Sequence, residues 1–349
     1  MILVDNYLTN YFFRNNKGRY YYLTFFLFFL SCNLNNTVNI TGFTMGTSYS
    51  IKCNANSVNI NYKNLKWEVD SILININNIF STYIDSSEIN RINKSDKDII
   101  YISNHFKEVL NTSIDIYNNT SHYFDPSISP LIKLWNFDSK SEKVKIPDKF
   151  EVENILKKIG LKKIKIKNNS IIKNEYTKID FNAIAKGYGV DIVGKYLLSK
   201  GINSFMIEIG GEVLCMGTNN NKSWEIGIQN PFIKNEIINI LSIENQAVAT
   251  SGTYRNFYFY NGKYYSHILN PLNGYPIDHN TVSVTVIADN CLIADAYANG
   301  LLVMGKEKGL DFVNKNNSIE AIFISGNPDS YSVEYSNGYN HLRSDIAFE

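Results

Sequence analysis

Asp295 and Asn299 stand four residues apart in a stretch, 292–304, whose pattern predicts a helix ended by Gly305. On a helix their side chains project from one face about a turn apart, as two hard oxygen donors of the kind that Mg²⁺ takes. A solvated helix face is the plain alternative, but Ala294, Ala296 and Ala298 around them point to close packing. Lys186, taken alone, reads as a solvent-facing residue of an amphipathic helix. His267 lies in an aromatic run, where a lone histidine is more often structural, although an imidazole titrates near neutral pH and can serve as a general base.

The common catalytic signatures are absent: there is no HExxH, GxSxG, EF-hand loop or GxGxxG. Gly189 to Lys195 fits GxxxxGK, but Tyr196 occupies the place where a phosphate-binding loop needs Ser or Thr, and Tyr188, Ile192 and Tyr196 recur at helical spacing. Several segments are nevertheless too polar and too rich in glycine for plain core: 42–47, 80–93, 123–137, 180–191, 208–212, 249–255, 265–276 and 294–299.

The elements that must position these segments are partly legible. Helical periodicity covers 67–80, 104–118 and 152–159, and strands are predicted at 205–209, 213–216, 224–228 and 281–287. Two aromatic runs, 257–260 and 263–268, flank Asn261-Gly262, the pair that suits a type I′ hairpin turn because both central residues need positive φ. Strands and helices mix without regular βαβ alternation, so the expected class is α/β or mixed α+β with a largely antiparallel sheet.

The chain has 349 residues, 34 Lys+Arg against 33 Asp+Glu, and a formal charge of +1. That balance argues against nucleic acid as a partner, which would need a basic surplus gathered on one face. With 44% hydrophobic and 13% aromatic residues, it has the composition of a folded globular protein, neither disordered nor multi-spanning. At the N-terminus, Arg14, Lys17 and Arg19 precede an uncharged run from Tyr20 to Ser31. Twelve helical residues rise about 18 Å, too short to span a bilayer, so the pattern reads as an export signal. Cys32 follows Leu30-Ser31 as in a bacterial lipoprotein cleavage site, where that cysteine is acylated; an uncleaved anchor, or a start placed too early, is the alternative. Residues 1–31 are therefore expected to be a signal, 32–40 a tether, 41–330 the folded domain and 331–349 a tail. Cys53, Cys215 and Cys291 are far apart and odd in number, which implies neither a disulfide framework nor a zinc site.

Taken in order, the polar segments resemble the ApbE-like family, the FAD:protein FMN transferases, over roughly 42–323. The resemblance implies that family's fold, read here as two closely associated subdomains. It also implies FAD as donor substrate, Mg²⁺ as cofactor, and transfer of FMN through its phosphate to a Thr or Ser hydroxyl, with release of AMP. In that family the acceptors are redox subunits carrying an Asp-x-x-Thr-Gly-Ala-Ser/Thr-like motif. The reaction occurs at the cell envelope, on the periplasmic side of the inner membrane, with a lipid anchor that here would be Cys32. Hydrolysis of FAD to FMN and AMP, and non-catalytic flavin binding, are the rival activities.

Residue by residue, the resemblance implies metal ligation by Asp295, Asn299 and the main-chain carbonyl of Ala183, with His267 as the base. Asp295 is thereby catalytic as well as a ligand. Lys186 would face the phosphates and Asp180 the flavin, with Met45 and Tyr83 as a thioether and an aromatic plane against the isoalloxazine. Tyr123, Phe124 and Asp125 match a further adenine- or flavin-side segment, with packing in the core as the alternative reading. Thr250, Ser251 and Arg255 form a polar turn beside the nucleotide, and Leu269 makes a backbone contact. Departures from the family pattern are Asn299 for Thr, Asn270 and Thr253 for Asp, and Ser127 for Thr; an amide carbonyl remains a legitimate hard ligand.

Overall fold

The computed structural model describes residues 37–54, 61–97, 99–137, 146–254 and 257–342. The proposed signal, Cys32 and Arg255 lie outside the described residues. The first element, β1 (Thr37–Thr44), pairs antiparallel with β2 (Thr47–Asn54) across the two-residue turn Met45–Gly46. Both turn residues have positive φ, 49° and 73°. Such a turn matches the strand twist, but a methionine in it costs about 1 kcal/mol relative to glycine or asparagine. Residues 37–40, expected in the tether, are already strand.

Next come α1 (Tyr62–Phe80) and α2 (Glu88–Lys94), N-capped by Asn61 and Ser87. Strand β3 (Ile99–Tyr101) leads into α3 (Asn104–Asn119), capped by Ser103. Two short helices follow, α4 (Ser129–Leu134) and α5 (Lys149–Leu156). The second starts three residues before the predicted 152, because Asp148 and Glu151 form a capping box there. After β4 (Lys165–Lys167) and β5 (Ser170–Ile172), α6 (Ala185–Ser199) runs through the would-be phosphate loop as continuous helix.

Strands β6 (Phe205–Ile209) and β7 (Glu212–Met216) are joined by Gly210–Gly211, both at positive φ. Strands β8 (Trp224–Gln229) and β9 (Ile237–Ile243) pair as a separate two-stranded sheet. Strand β10 (Gln246–Gly252) leads to the aromatic hairpin of β11 (Phe257–Tyr260) and β12 (Lys263–Ser266), whose Asn261–Gly262 turn has the positive φ values expected. β12 stops at Ser266, so His267 sits just beyond the strand instead of within it. Then follow β13 (Thr281–Ala288), α7 (Cys291–Met304), α8 (Lys306–Asn314), β14 (Ile319–Asn327) and β15 (Ser330–Tyr335). The expected tail is therefore partly an edge strand, and Tyr339 and Leu342 beyond it are buried.

Eight strands form the main sheet, in the order β1-β2-β6-β7-β10-β13-β14-β15. Every pairing in it is antiparallel, as expected. Alternate residues face opposite sides: Ala247, Ala249, Val284, Val286 and Phe323 point to the helices, while Val248, Ile287 and Ile322 point to β8 and β9. The central strands are thus covered on both faces, which explains why β13 is buried almost throughout although Thr281, Ser283 and Thr285 alternate with its apolar residues. Residues 35–349 form one compact unit. Two closely associated subdomains are expected; the helices and the main sheet share one continuous core, reaching from Ile40 to Phe323.

Candidate functional site at the α6–α7 crossing

Helix α7 lies on the sheet against β10 and β13, and α6 crosses it. The crossing is tight because Gly187 has no side chain to hold the helices apart. Ala294, Ala296 and Ala298 are fully buried, and a Cβ on Gly187 would overlap the Cys291 carbonyl and come within 2.9 Å of Asp295 Cβ. A residue larger than glycine at 187 would push the helices apart. The same contact delivers Asp295 to the first turn of α6.

That turn needs a partner. The first amides of a helix have no acceptor within it, and Ile184, the N-cap of α6, has no side-chain oxygen to offer. Asp295 Oδ2 accepts the Gly187 N–H at 3.0 Å and so supplies the missing cap from the other helix. Lys186 reaches the same carboxylate, Nζ to Oδ2 3.8 Å, and Glu212 Oε1 at 3.3 Å. The Glu212 and Asp295 side chains are 3% and 4% exposed, that of Lys186 25%. Two buried carboxylates thus share one ammonium. Glu212 arrives through the Gly210–Gly211 turn, held by Gly211 N donating to Glu208 Oε1 at 2.7 Å. The sequence marks 208–212 as unusual without giving Glu212 a role, since its pairing with Lys186 exists only in three dimensions.

The donors fit Mg²⁺. The Gly187 amide and the Lys186 ammonium both approach Asp295 through Oδ2, and the Asn299 amide stands half-buried one turn further along α7. The Ala183 carbonyl precedes the α6 cap; the amides of Ala185, Gly187 and Tyr188 close instead on Phe181, Asp295 and Ile184. Among the described residues no cluster of three or more His, Cys, Asp or Glu side chains exists. An ion here would therefore be held by one carboxylate and carbonyl oxygens, a hard donor set. Two carboxylates against one ammonium leave the negative excess that a cation would offset. Cys291 lies among these groups fully buried, and burial followed by the nearby carboxylates raises its thiol well above the ordinary range, so it stays protonated.

Met45 joins the site through its strained turn: its Cε lies where a Cβ on Gly189 would come within 2.9 Å. Asn77 Nδ2 donates to Thr44 Oγ1 at 2.8 Å and ties this turn to the end of α1. Tyr83, on the following loop, is 83% exposed. Asn90 Nδ2 donates to the carbonyls of Thr82 and Ile84, 2.9 Å each, and clamps the backbone on both sides of that ring. Asp180 Oδ1 accepts the Asn182 N–H at 2.8 Å and shapes the turn that carries Ala183.

Other predicted positions are placed differently. Phe124 is a core residue, 1% exposed, packed on α7 at Gly300. Asp125 is buried too; its Oδ1 accepts from Ser127 N at 2.9 Å and from Ser127 Oγ at 2.6 Å. Both have packing or turn-locking roles instead of a cofactor surface, because neither side chain reaches solvent. Tyr123 stays half-buried and its hydroxyl accepts from Lys308 Nζ at 2.8 Å. Thr250 shares the side of the sheet on which Val248 and Ile287 lie, away from α7, and its hydroxyl pairs with Thr285 Oγ1 at 2.8 Å. Of that pair only Ser251 falls on the α7 side.

Leu269 buries its side chain beside Leu131 and Trp135. Its bridge to Pro276 is flanked by hydrogen bonds from Asn270 N to Tyr275 O and from Ile277 N to Ile268 O, so Leu269's own N–H and C=O point outward. Asn270 Oδ1 accepts the Leu272 N–H at 2.9 Å, a turn role that Asp and Asn fill equally. His267 is half-buried directly after β12, on a hairpin tied back to the end of β10 by Tyr264 Oη donating to the Thr253 carbonyl at 2.7 Å.

Residues 45–323 match the model of the ApbE family. The chain belongs to the ApbE family. Among its relatives, the FAD:protein FMN transferase of Vibrio cholerae is 34% identical over 311 residues, covering 88% of this chain and 93% of the relative. The Escherichia coli K12 protein of the same name is 30% identical, covering 77% and 79%. Among solved structures, the Vibrio cholerae flavin transferase ApbE superposes with a TM-score of 0.80 at 33% identity, covering 88% of this chain and 99% of that one. The Pseudomonas stutzeri flavinyl transferase ApbE, in its apo form, gives 0.82 at 28% identity, covering 89% and 98%. The ApbE fold therefore covers most of this chain, and the family match at 45–323 includes both α6 and α7.

Proposed function

We propose that this ApbE-family chain is an FAD:protein FMN transferase acting on a Thr or Ser hydroxyl of a redox protein. The observation that carries the reading is the Lys186–Glu212–Asp295 cluster at the capped start of α6, in a chain with relatives of that name. In the reaction the hydroxyl oxygen attacks the FMN-side phosphorus of FAD. The bond from that phosphorus to the bridging oxygen breaks, AMP leaves with that oxygen, and the hydroxyl proton passes to His267.

Lys186 holds fixed positive charge for the diphosphate, and its two buried carboxylate partners keep it in place. Mg²⁺, held by Asp295, Asn299 and the Ala183 carbonyl, would neutralise charge developing on the phosphate oxygens. Met45 and Tyr83 present a thioether and an aromatic plane to the isoalloxazine, and Ser251 and the Leu269 main chain lie along the nucleotide. The acceptor is a subunit bearing an Asp-x-x-Thr-Gly-Ala-Ser/Thr-like motif, met outside the cytoplasm by an enzyme tethered through acylated Cys32. The basic region, apolar run and Cys32 support this location, and the mass of the mature N-terminus tests it. No described helix is long and apolar enough to cross a membrane.

Incubation with FAD, Mg²⁺ and a motif-bearing acceptor tests the activity. Flavin fluorescence that stays on the acceptor through a denaturing gel, with AMP released, is the expected result. AMP without labelled acceptor would make the chain an FAD pyrophosphatase, and bound FAD with neither product would make it a binding protein.

A further inference from the structure

The α6–α7 contact has a second half on the other side of the crossing. Asp191, one turn after Gly187 on α6, points both carboxylate oxygens at the start of α7. Oδ1 accepts the Cys291 N–H and Oδ2 the Leu292 N–H, each at 2.8 Å. Asn290 Oδ1 takes the Ile293 N–H at 2.9 Å, so the first three amides of α7 all have acceptors. The arrangement is reciprocal. Each helix offers an amide at one position and a carboxylate four residues on: Gly187 and Asp191 on α6, Cys291 and Asp295 on α7. Each carboxylate caps the other helix. Asp191 is 8% exposed and Asp295 3%, so neither cap is shared with solvent.

We propose that Asp191 is a positioning residue: by clasping the start of α7 it fixes the depth and rotation at which Asp295 and Asn299 face the Ala183 carbonyl. The physical reason is that the crossing has no slack. With no Cβ at Gly187, the α7 backbone rests directly on α6, and the two caps and the Lys186 ion pair tie the helices across the contact. Loosening one cap lets α7 slide or rotate, and the other cap, which carries the proposed ligand, moves with it. Asp191 makes no contact with FAD or metal in this account. Its effect is transmitted through α7, as outer-shell groups orient ligands.

This rests on the metal reading of Asp295 in one of its two tests, so the tests are paired. The first needs no metal: amide hydrogen exchange in the apo protein for wild type and Asp191→Asn, which keeps the shape but presents an NH₂ to a backbone N–H. The expected result is about tenfold faster exchange at Gly187, an amide that Asp191 does not touch, together with Cys291 and Leu292. Faster exchange confined to Cys291 and Leu292, with Gly187 as in wild type, overturns the proposal. If Asp191→Asn does not fold, Asp191→Glu, with both oxygens one methylene further out, gives the same comparison.

The second test is a Mn²⁺ titration followed by electron paramagnetic resonance, with a loss of about tenfold in affinity expected for Asp191→Asn. Unchanged affinity in a folded variant whose Gly187 exchange has risen also overturns the positioning role. A wild-type protein that binds no Mn²⁺, or binds it no better than Asp295→Asn, removes the metal reading instead, and the exchange result then decides the clasp alone.

Discussion

Met45 and Gly189 meet where the first hairpin packs on α6: the end of the methionine side chain, held out by a turn with φ of 49°, occupies the space that any side chain at 189 would need. The strained turn and the missing Cβ serve one contact, between the edge hairpin and α6. Gly189→Ala should be neutral or slightly stabilising to the fold, since alanine gains about 1 kcal/mol over glycine inside a helix. It should also displace Met45 and raise the KM for FAD several-fold with little change in kcat. Melting curves and steady-state kinetics on one preparation check both halves.

Removing the ammonium shared by Glu212 and Asp295 leaves two buried carboxylates without compensation. Lys186→Met should cost about 2 kcal/mol of stability in the presence of EDTA, less than a fully buried pair because the lysine is partly exposed. Millimolar Mg²⁺ should restore part of the lost Tm if the site takes a cation. A melting temperature that ignores both the substitution and the ion would contradict the electrostatics described for this cluster.

Asp125 carries a pH dependence that belongs to the fold. Burial is the largest influence on its carboxyl and pushes it up to about 6, against which the Ser127 hydroxyl and amide pull it down. In the unfolded chain it titrates near 4. Between about pH 4 and 6 the folded state therefore holds the proton that the unfolded state has lost, and stability falls as pH rises through that window, then levels off. Asp125→Asn keeps an oxygen for Ser127 but cannot ionise. Its stability relative to wild type should thus improve from pH 4 to pH 6.5, by an amount on the order of 2 kcal/mol. Urea unfolding across that range measures it.

How much of this was readable beforehand depends on whether a feature is local. The Asn261–Gly262 hairpin, the α7 helix ending at Gly305 and the antiparallel class all follow from short-range pattern. The Met45–Gly46 turn breaks the usual residue preference because Met45 is wanted for its side chain, so the first hairpin is invisible to turn rules. Phe124 and Asp125 look like site residues in sequence because they sit in a polar segment. Core packing is the alternative reading for both, and the contact with Gly300 and the Ser127 turn place them in the interior. Glu212 meets Lys186 from 26 residues away, and Asp191 meets the Cys291 amide on α7 from a hundred residues away. No periodicity reports such a pairing. Asn299, which departs from the family pattern, still presents an oxygen at the same helical position.

In the proposed reaction His267 and Asp295 act in different ways, and kinetics should separate them. Replacing His267 by Asn should lower kcat by about 10²–10⁴-fold while leaving FAD binding nearly intact, the usual cost of losing a general base. Equilibrium binding of FAD, followed by flavin fluorescence, distinguishes this from a collapsed site.

The most direct measurement is the intact mass of a motif-bearing acceptor after incubation with FAD and Mg²⁺, using wild type and Asp295→Ala side by side. Wild type should add one FMN, attached through its phosphate, to the acceptor's Thr or Ser, and Asp295→Ala should leave the acceptor mass unchanged. An unmodified acceptor with active wild-type protein, or equal modification by both proteins, would contradict the account.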